Sequence, residues 1–203
     1  RYFLEKFGKT ATTGYNVDSF GHNGNLPQIL KKSGLDRYVF MRPMPLEKGL
    51  PGRIFQWKSM DGSKVMAYRI PYEYCTWGKD LEKYVGRLKC ELLDGEDELM
   101  MFYGVGNHGG GPTKENIASI HEMDRRSDMP TMKMGTTKEF FDSVESNGKE
   151  YPVHMGDLQH HASGCYSVMS RVKRENRRAE NKLVEAEGWS AVAKAVEGQP
   201  YPE

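Results

Sequence analysis

The feature that most constrains this chain is an alternation. Through its first two-thirds, short apolar runs trade places with segments of helical periodicity. Residues 11–17 predict a strand that runs into Asp18. Residues 26–33 predict a short helix, with Pro27 in its first turn and Gly34 as its stop. A second strand is expected over 37–41, ended by Arg42-Pro43. Strands over 53–57 and 64–69 flank Asp61-Gly62, a pair that favours a hairpin reversal. Residues 81–93 predict an amphipathic helix, and 98–103 a strand entering the glycine-rich loop 104–112. Thr113 is placed to cap a helix through Met123, with Asn116 at the box position, and Thr136 to cap another over 137–144. Short strands are expected over 130–134 and 153–155.

Alternation of this kind specifies an α/β fold, a mostly parallel sheet with helices packed outside it. In such folds the chemistry gathers in loops after the C-terminal ends of strands. Asp18, Arg42, Tyr72, Asn107, His108 and the pair His160-His161 all follow a predicted strand. The last third changes character. Residues 168–187 are highly charged and free of Gly and Pro until Gly188, with sparse apolar positions at Val172, Ala179, Leu183 and Val184. That pattern predicts a helix packed on one narrow stripe, the first member of a small helical bundle.

Composition narrows the function classes. Of 203 residues, 37% are hydrophobic and 28% charged, enough apolar material for a buried core. The net charge of +1 gives no global field for nucleic acid or an acidic membrane. The basic stretch 171–182 carries Lys173, Arg174, Arg177 and Arg178, but Glu175 and Glu180 interrupt it, which fits a solvated face. No apolar run approaches the length of a membrane span, and no secretory leader opens the chain. Cys75, Cys90 and Cys165 are an odd, widely spaced set without a CxxC knuckle, which points to a reducing, cytoplasmic setting. Arg1 starts inside a helical pattern and residues 198–203 are rich in Gly and Pro, so a piece of a larger protein is expected.

Three stretches carry chemistry. In Gly14-Tyr15-Asn16-Val17-Asp18-Ser19-Phe20-Gly21-His22, a carboxylate directly follows an apolar strand. Read alone, Asp-x-x-Gly-His also fits an ordinary turn or cap aspartate. In Gln159-His160-His161-Ala162-Ser163-Gly164-Cys165-Tyr166, adjacent histidines cannot both face one target. One suits a metal and the other substrate or a supporting role, though a polar loop at a helix start fits equally. The loop Gly104-Val105-Gly106-Asn107-His108-Gly109-Gly110-Gly111-Pro112-Thr113 lets backbone approach a ligand closely. It lacks the Lys-Ser/Thr ending of a phosphate-binding P-loop.

The run GYNVDSFGHNGNLPQILKKSGLDRYVFMRP (14–43) resembles the nucleophile region of family 38 α-mannosidases, and QHHASGCYSVMSRVKRENRRAENKLVEAE (159–187) resembles that family's junction between catalytic barrel and helical bundle. The glycine-rich loop is similar to the bacterial form of the loop between them. The resemblance implies a partial (β/α)7-type barrel over 1–157 and a junction plus bundle start over 158–203. It implies Asp18 as catalytic nucleophile and zinc ligand, His161 as a second ligand, and Arg42 beside the nucleophile. Tyr72 or Tyr74 would line the sugar site, with Asn107 and His160 toward substrate.

The mixed N/O ligand set suits one zinc ion. The family's other two ligands sit in a His-x-Asp motif, which does not occur in this chain, so they are expected from a segment outside it. The chain by itself is therefore expected to hold metal weakly and to be inactive. Many members carry an Asp in the glycine-rich loop where this chain has Asn107-His108, which leaves His108 as the expected acid/base. The implied reaction is retaining hydrolysis of a terminal α-mannoside of an oligosaccharide or glycan, through a covalent mannosyl-Asp18 intermediate. No nucleic-acid or membrane partner is expected, and a homo-oligomer stays open. Two other readings compete: a metal-dependent carbohydrate deacetylase or other barrel hydrolase, whose nucleophile would be metal-bound water, and an inactive sugar-binding fragment.

Overall fold

A computed structural model describes residues 2–76, 81–92, 96–106, 109–159, 164 and 169–201. The described elements run α1 (Tyr2–Phe7), β1 (Thr13–Asn16), α2 (Leu26–Lys32), β2 (Arg37–Phe40), β3 (Ile54–Lys58), β4 (Lys64–Arg69), α3 (Glu82–Lys89), α4 (Lys114–Asp124), α5 (Thr137–Ser146), β5 (Val153–Met155) and α6 (Ser170–Glu197). Two compact units result, residues 1–161 and 162–203.

The first unit is built on a five-stranded sheet in the order β1-β2-β4-β3-β5. β1–β2, β2–β4 and β3–β5 pair in parallel, and only β3–β4, joined through Asp61-Gly62, pair antiparallel. Gly62 takes φ +90° in that turn, a left-handed geometry that glycine adopts without a Cβ penalty.

The central strands bury both faces, and their side chains sort by parity. Tyr38, Phe40, Phe55, Trp57, Val65 and Ala67 face one cluster, closed by Leu30 of α2 and by Leu158. Val39, Met41, Ile54, Tyr68 and Ile70 face the other, closed by Phe140, Phe141 and Val144 of α5. α5 is specified locally: Thr136 and Glu139 form a reciprocal capping box. Thr113 and Asn116 do the same for α4, with Asn in place of the usual Glu or Gln. At the start of β2, Arg37 ties the sheet to α5 through Asp142 and Glu145.

Two expected strands are not strands. Residues 98–103 form no ladder: Leu99, Met100 and Phe102 pack on the α5 side, while Met101 and Tyr103 pack on a third cluster of Leu81, Val85, Ile120 and Met123. The segment is threaded between two cores, which from Met100 to Tyr103 imposes a period of two without a backbone partner. Residues 130–134 are likewise irregular, with Met129 and Met132 covering that third cluster. α3 is shorter than expected and ends at Lys89, with Cys90 as its C-cap.

In the second unit, α6 runs 28 residues with none buried. Gly188 does not stop it. A helix-interior glycine costs about 1 kcal/mol, whereas Gly198 stops the helix by taking φ +70° as a left-handed cap. The basic stretch pairs along the helix through Arg177–Glu180, Arg178–Glu175 and Lys182–Glu185. Among the described residues, no helix is long and apolar enough to cross a membrane.

Candidate active site

β1, β2 and β4 are mutually parallel, with Asn16, Phe40 and Arg69 in register at their ends. The chain segments leaving those strands therefore emerge from one edge of the sheet. Asp18 leaves β1, Arg42 leaves β2, and residues 71–74 leave β4. This is the edge where α/β folds assemble sites.

Arg42 Nε donates to Asp18 Oδ1 at 3.1 Å, and the Arg42 guanidinium also lies 5.8 Å from the Phe20 ring centre. Tyr74 meets the same carboxylate: the Asp18 charge, together with burial and a hydrogen bond to Asp18, pushes the Tyr74 phenol above its ordinary pKa. Cys75 follows, its thiol pushed up by burial first and by the charges of Glu73 and Asp18 second.

Tyr72 goes elsewhere. Its hydroxyl donates to Glu91, its ring lies 4.0 Å under the Arg87 guanidinium, and Glu91 is ion-paired to Arg53. Of the two tyrosines expected near the sugar site, the fold brings Tyr74 to Asp18 and takes Tyr72 into this neighbouring charged cluster.

The glycine-rich loop is fastened beside Tyr74. Thr76 donates its backbone N–H to Gly104 O at 2.8 Å, and its hydroxyl accepts from Gly104 N at 3.1 Å. Gly106, at φ +67°, lies so close to Cys75 that a Cβ there would sit 2.6 Å from the Cys75 Cβ. Asn107 and His108 lie outside the described residues, as do His160 and His161.

The segment leading to the histidine pair is nonetheless fixed against the Asp18 loop. Leu158 donates to His22 O at 2.9 Å, Gln159 Nε2 donates to Phe20 O at 3.1 Å, and Lys48 Nζ bridges Asp157 and Gln159 O at 2.9 and 3.3 Å. Gly21 makes this approach feasible, since a Cβ at that position would lie 2.3 Å from Gln159 Oε1.

Under the loop, His22 is buried at 4% exposure. Its Nε2 is 2.9 Å from Arg42 O and its Nδ1 is 2.9 Å from the Tyr38 hydroxyl. Burial is the larger influence on its pKa and lowers it. A separate cavity of about 580 Å³ opens at the opposite ends of β2 and β4, lined by residues such as Arg37, Lys64 and Asp142, and holds none of the candidate site residues.

A divalent ion is implied by the resemblance, and Asp18 fits part of such a site: its carboxylate is 55% exposed and faces the sheet edge. Among the described residues, no group of three His, Cys, Asp or Glu side chains converges. Further donors would have to come from outside them.

The model of the glycosyl hydrolases family 38 N-terminal domain matches residues 1–157. The chain belongs to glycosyl hydrolase family 38. Its relatives include human alpha-mannosidase 2C1, 26% identical over 202 residues, covering 98% of this chain and 19% of that protein. Alpha-mannosidase G of Dictyostelium discoideum is 28% identical over 187 residues, 90% of this chain and 17% of its own length. Alpha-mannosidase of Saccharomyces cerevisiae is 28% identical across 97% of this chain and 19% of its own length. In fold, this family 38 chain is similar to the crystal structure of an alpha-mannosidase from Enterococcus faecalis V583, with TM-score 0.61 and 19% identity over 76% of this chain and 19% of that one. The chain thus spans about a fifth of the length of the curated relatives it matches.

What sequence reasoning missed at this family 38 site is its support. Tyr38 and Gln159 lie inside the stretches that carry Asp18 and the histidine pair, but nothing there marks them as supports, because each acts through a contact made across a long stretch of chain.

Proposed function

We propose that this chain is the nucleophile-bearing part of a retaining α-mannosidase, with Asp18 attacking the anomeric carbon of a terminal α-linked mannose. The observation that carries the reading is Asp18 itself, a carboxylate held beside Arg42 and Tyr74 at the C-terminal edge of a parallel sheet in a family 38 chain. Arg42 supplies a fixed positive charge facing the carboxylate, and Tyr74 orients it. Attack yields a covalent mannosyl-Asp18, which water then hydrolyses with net retention. His108 is assigned to protonate the leaving oxygen and later deprotonate the water. Asn107, His160 and Tyr74 are assigned to the sugar. The anchoring of Gly106 at Cys75 and of Gln159 at Phe20 supports assigning the loops that carry these residues to the Asp18 site.

A zinc ion would be held by Asp18 and His161, with two further ligands from a segment outside this chain. When bound, it would supply Lewis-acid polarisation of sugar hydroxyls. The five strands would form part of a barrel closed by others.

The test uses the full-length protein that contains this chain. Incubation with a fluorinated mannoside that accumulates the glycosyl-enzyme, followed by peptide mass spectrometry, should place the added mass on Asp18. A label on another residue, or unimpaired mannoside hydrolysis by Asp18→Asn, would overturn the assignment. A deacetylase using metal-bound water would give no covalent sugar adduct at all.

A further inference from the structure

We infer that His22 and Tyr38 are positioning residues: a buried chain of hydrogen bonds from Tyr38 through His22 to the Arg42 backbone fixes Arg42 against the Asp18 carboxylate. The inference rests on Asp18 being the reacting group, but its test reads Arg42 directly and needs no turnover, so either idea can fail without the other.

The direction of each bond follows from donor chemistry. His22 and Tyr38 are 4% and 2% exposed, so both ring nitrogens and the phenol must be satisfied inside the protein. Arg42 O can only accept, so His22 Nε2 carries the proton of the 2.9 Å contact. In the neutral ring that leaves Nδ1 as an acceptor, so the Tyr38 hydroxyl donates to it across 2.9 Å. Burial lowers the His22 pKa, which agrees with a neutral ring. Within the Asp18 turn itself, Asn16 Oδ1 accepts from Ser19 Oγ at 2.5 Å. At the far end of the chain of bonds, Arg42 Nε donates to Asp18.

Magnitudes explain why such a chain of bonds matters. The Asp18 and Arg42 side chains are 55% and 30% exposed. An ion pair that open gains little and does not by itself hold two flexible side chains in one geometry. The precision has to come from beneath, from the backbone of residue 42. His22 is the buried group that grips that backbone. Its ring is wedged edge-on among Tyr38, Phe40 and Trp57, with centroids 5.4, 5.6 and 6.3 Å away, so it has little room to tilt. Catalytic constellations require support of this kind, with each reacting group held by neighbours whose own rotamers are locked.

The experiment is NMR on the chain labelled with ¹⁵N, reading the exchange of the Arg42 Nε–H with water and the ring ¹⁵N shifts of His22. Native protein should show a neutral ring protonated at Nε2. Tyr38→Phe keeps the aromatic packing and removes one oxygen, and His22→Phe keeps the ring stack and removes both polar contacts. Each should speed Arg42 Nε–H exchange by about fivefold, the effect of one lost neutral hydrogen bond. His22→Gln, whose amide can donate to Arg42 O, should stay within about twofold of native. The inference is overturned if the exchange is unchanged in both phenylalanine variants, or if it changes only in proportion to their loss of global stability. If His22→Phe does not fold, Tyr38→Phe decides alone.

Discussion

Arg42 Nε donates to Asp18 Oδ1 across 3.1 Å, and the two residues leave the ends of neighbouring parallel strands. The contact joins two loops, yet both side chains stand open to water. Its value is therefore geometric rather than a source of fold stability. Arg42→Ala should change the unfolding free energy by less than about 1 kcal/mol in a urea titration. A much larger loss would mean that the pair holds the sheet edge together.

Tyr74 reports on the same carboxylate. The Asp18 charge is the largest influence on its phenol and raises its pKa, because a phenolate would form beside an existing anion. Neutralising Asp18 removes that repulsion. In Asp18→Asn the Tyr74 titration, followed by the phenolic ultraviolet band or by ring ¹³C shifts, should move to lower pH. An unmoved titration would place Tyr74 away from Asp18.

His22 gives the fold an acid-side sensitivity. Burial lowers its folded-state pKa beneath the ordinary histidine value of 6.5. Between the two values the unfolded chain binds more protons than the folded one, so stability rises with pH there. The contribution is complete above the unfolded value and is lost as pH falls toward the folded one. Subtracting the stability–pH curve of His22→Gln from that of native protein should isolate this slope below pH of about 6.5. A flat difference would show that the ring is charged or solvated.

Much of this was legible in the sequence, for physical reasons that differ by element. β2 announced itself by an apolar run because the central strands are buried on both faces, and α4 and α5 by cap residues that satisfy their first N–H groups. Residues 98–103 misled because, from Met100 onward, packing between two cores imposes the same period as a ladder does. Tyr72 and Tyr74 share a parity in sequence. Only the three-dimensional course of the chain sends one to Glu91 and the other to Asp18. The His22–Tyr38 pair spans 16 residues and leaves no periodic trace.

Two buried arginines next to the site predict an asymmetry. Arg53 and Arg69 are each 6% exposed. Burial and the Arg53 charge bring Arg69 down to about 10. Glu91 is paired with Arg53, while Arg69 donates to Lys48 O at 3.2 Å. Two like charges buried together repel, so an apolar replacement of one relieves that repulsion, whereas removing a compensating carboxylate leaves a buried charge unpaired. Arg69→Met should therefore leave the melting temperature unchanged or raise it. Glu91→Gln should cost about 2–3 kcal/mol, discounted for the partial exposure of Glu91. Equal losses in chemical denaturation would show that Arg69 has a compensating anion of its own.

Gly21 sets how closely the segment before the histidine pair can approach the Asp18 loop. Its φ of +137° is one that L side chains rarely adopt, and an added Cβ would lie 2.3 Å from Gln159 Oε1 and 3.0 Å from the Gln159 Cα. The Gln159 side chain could swing away, but only by giving up its hydrogen bond to Phe20 O, and its backbone could not follow without breaking the Leu158 N–H bond to His22 O. Gly21→Ala should thus carry both a backbone strain and a lost contact, about 2–4 kcal/mol in chemical denaturation. Hydrogen exchange distinguishes the cause. Protection should fall at the Leu158 amide while the β2 and β4 amides keep theirs, and uniform loss across the sheet would instead mark Gly21 as part of the global fold.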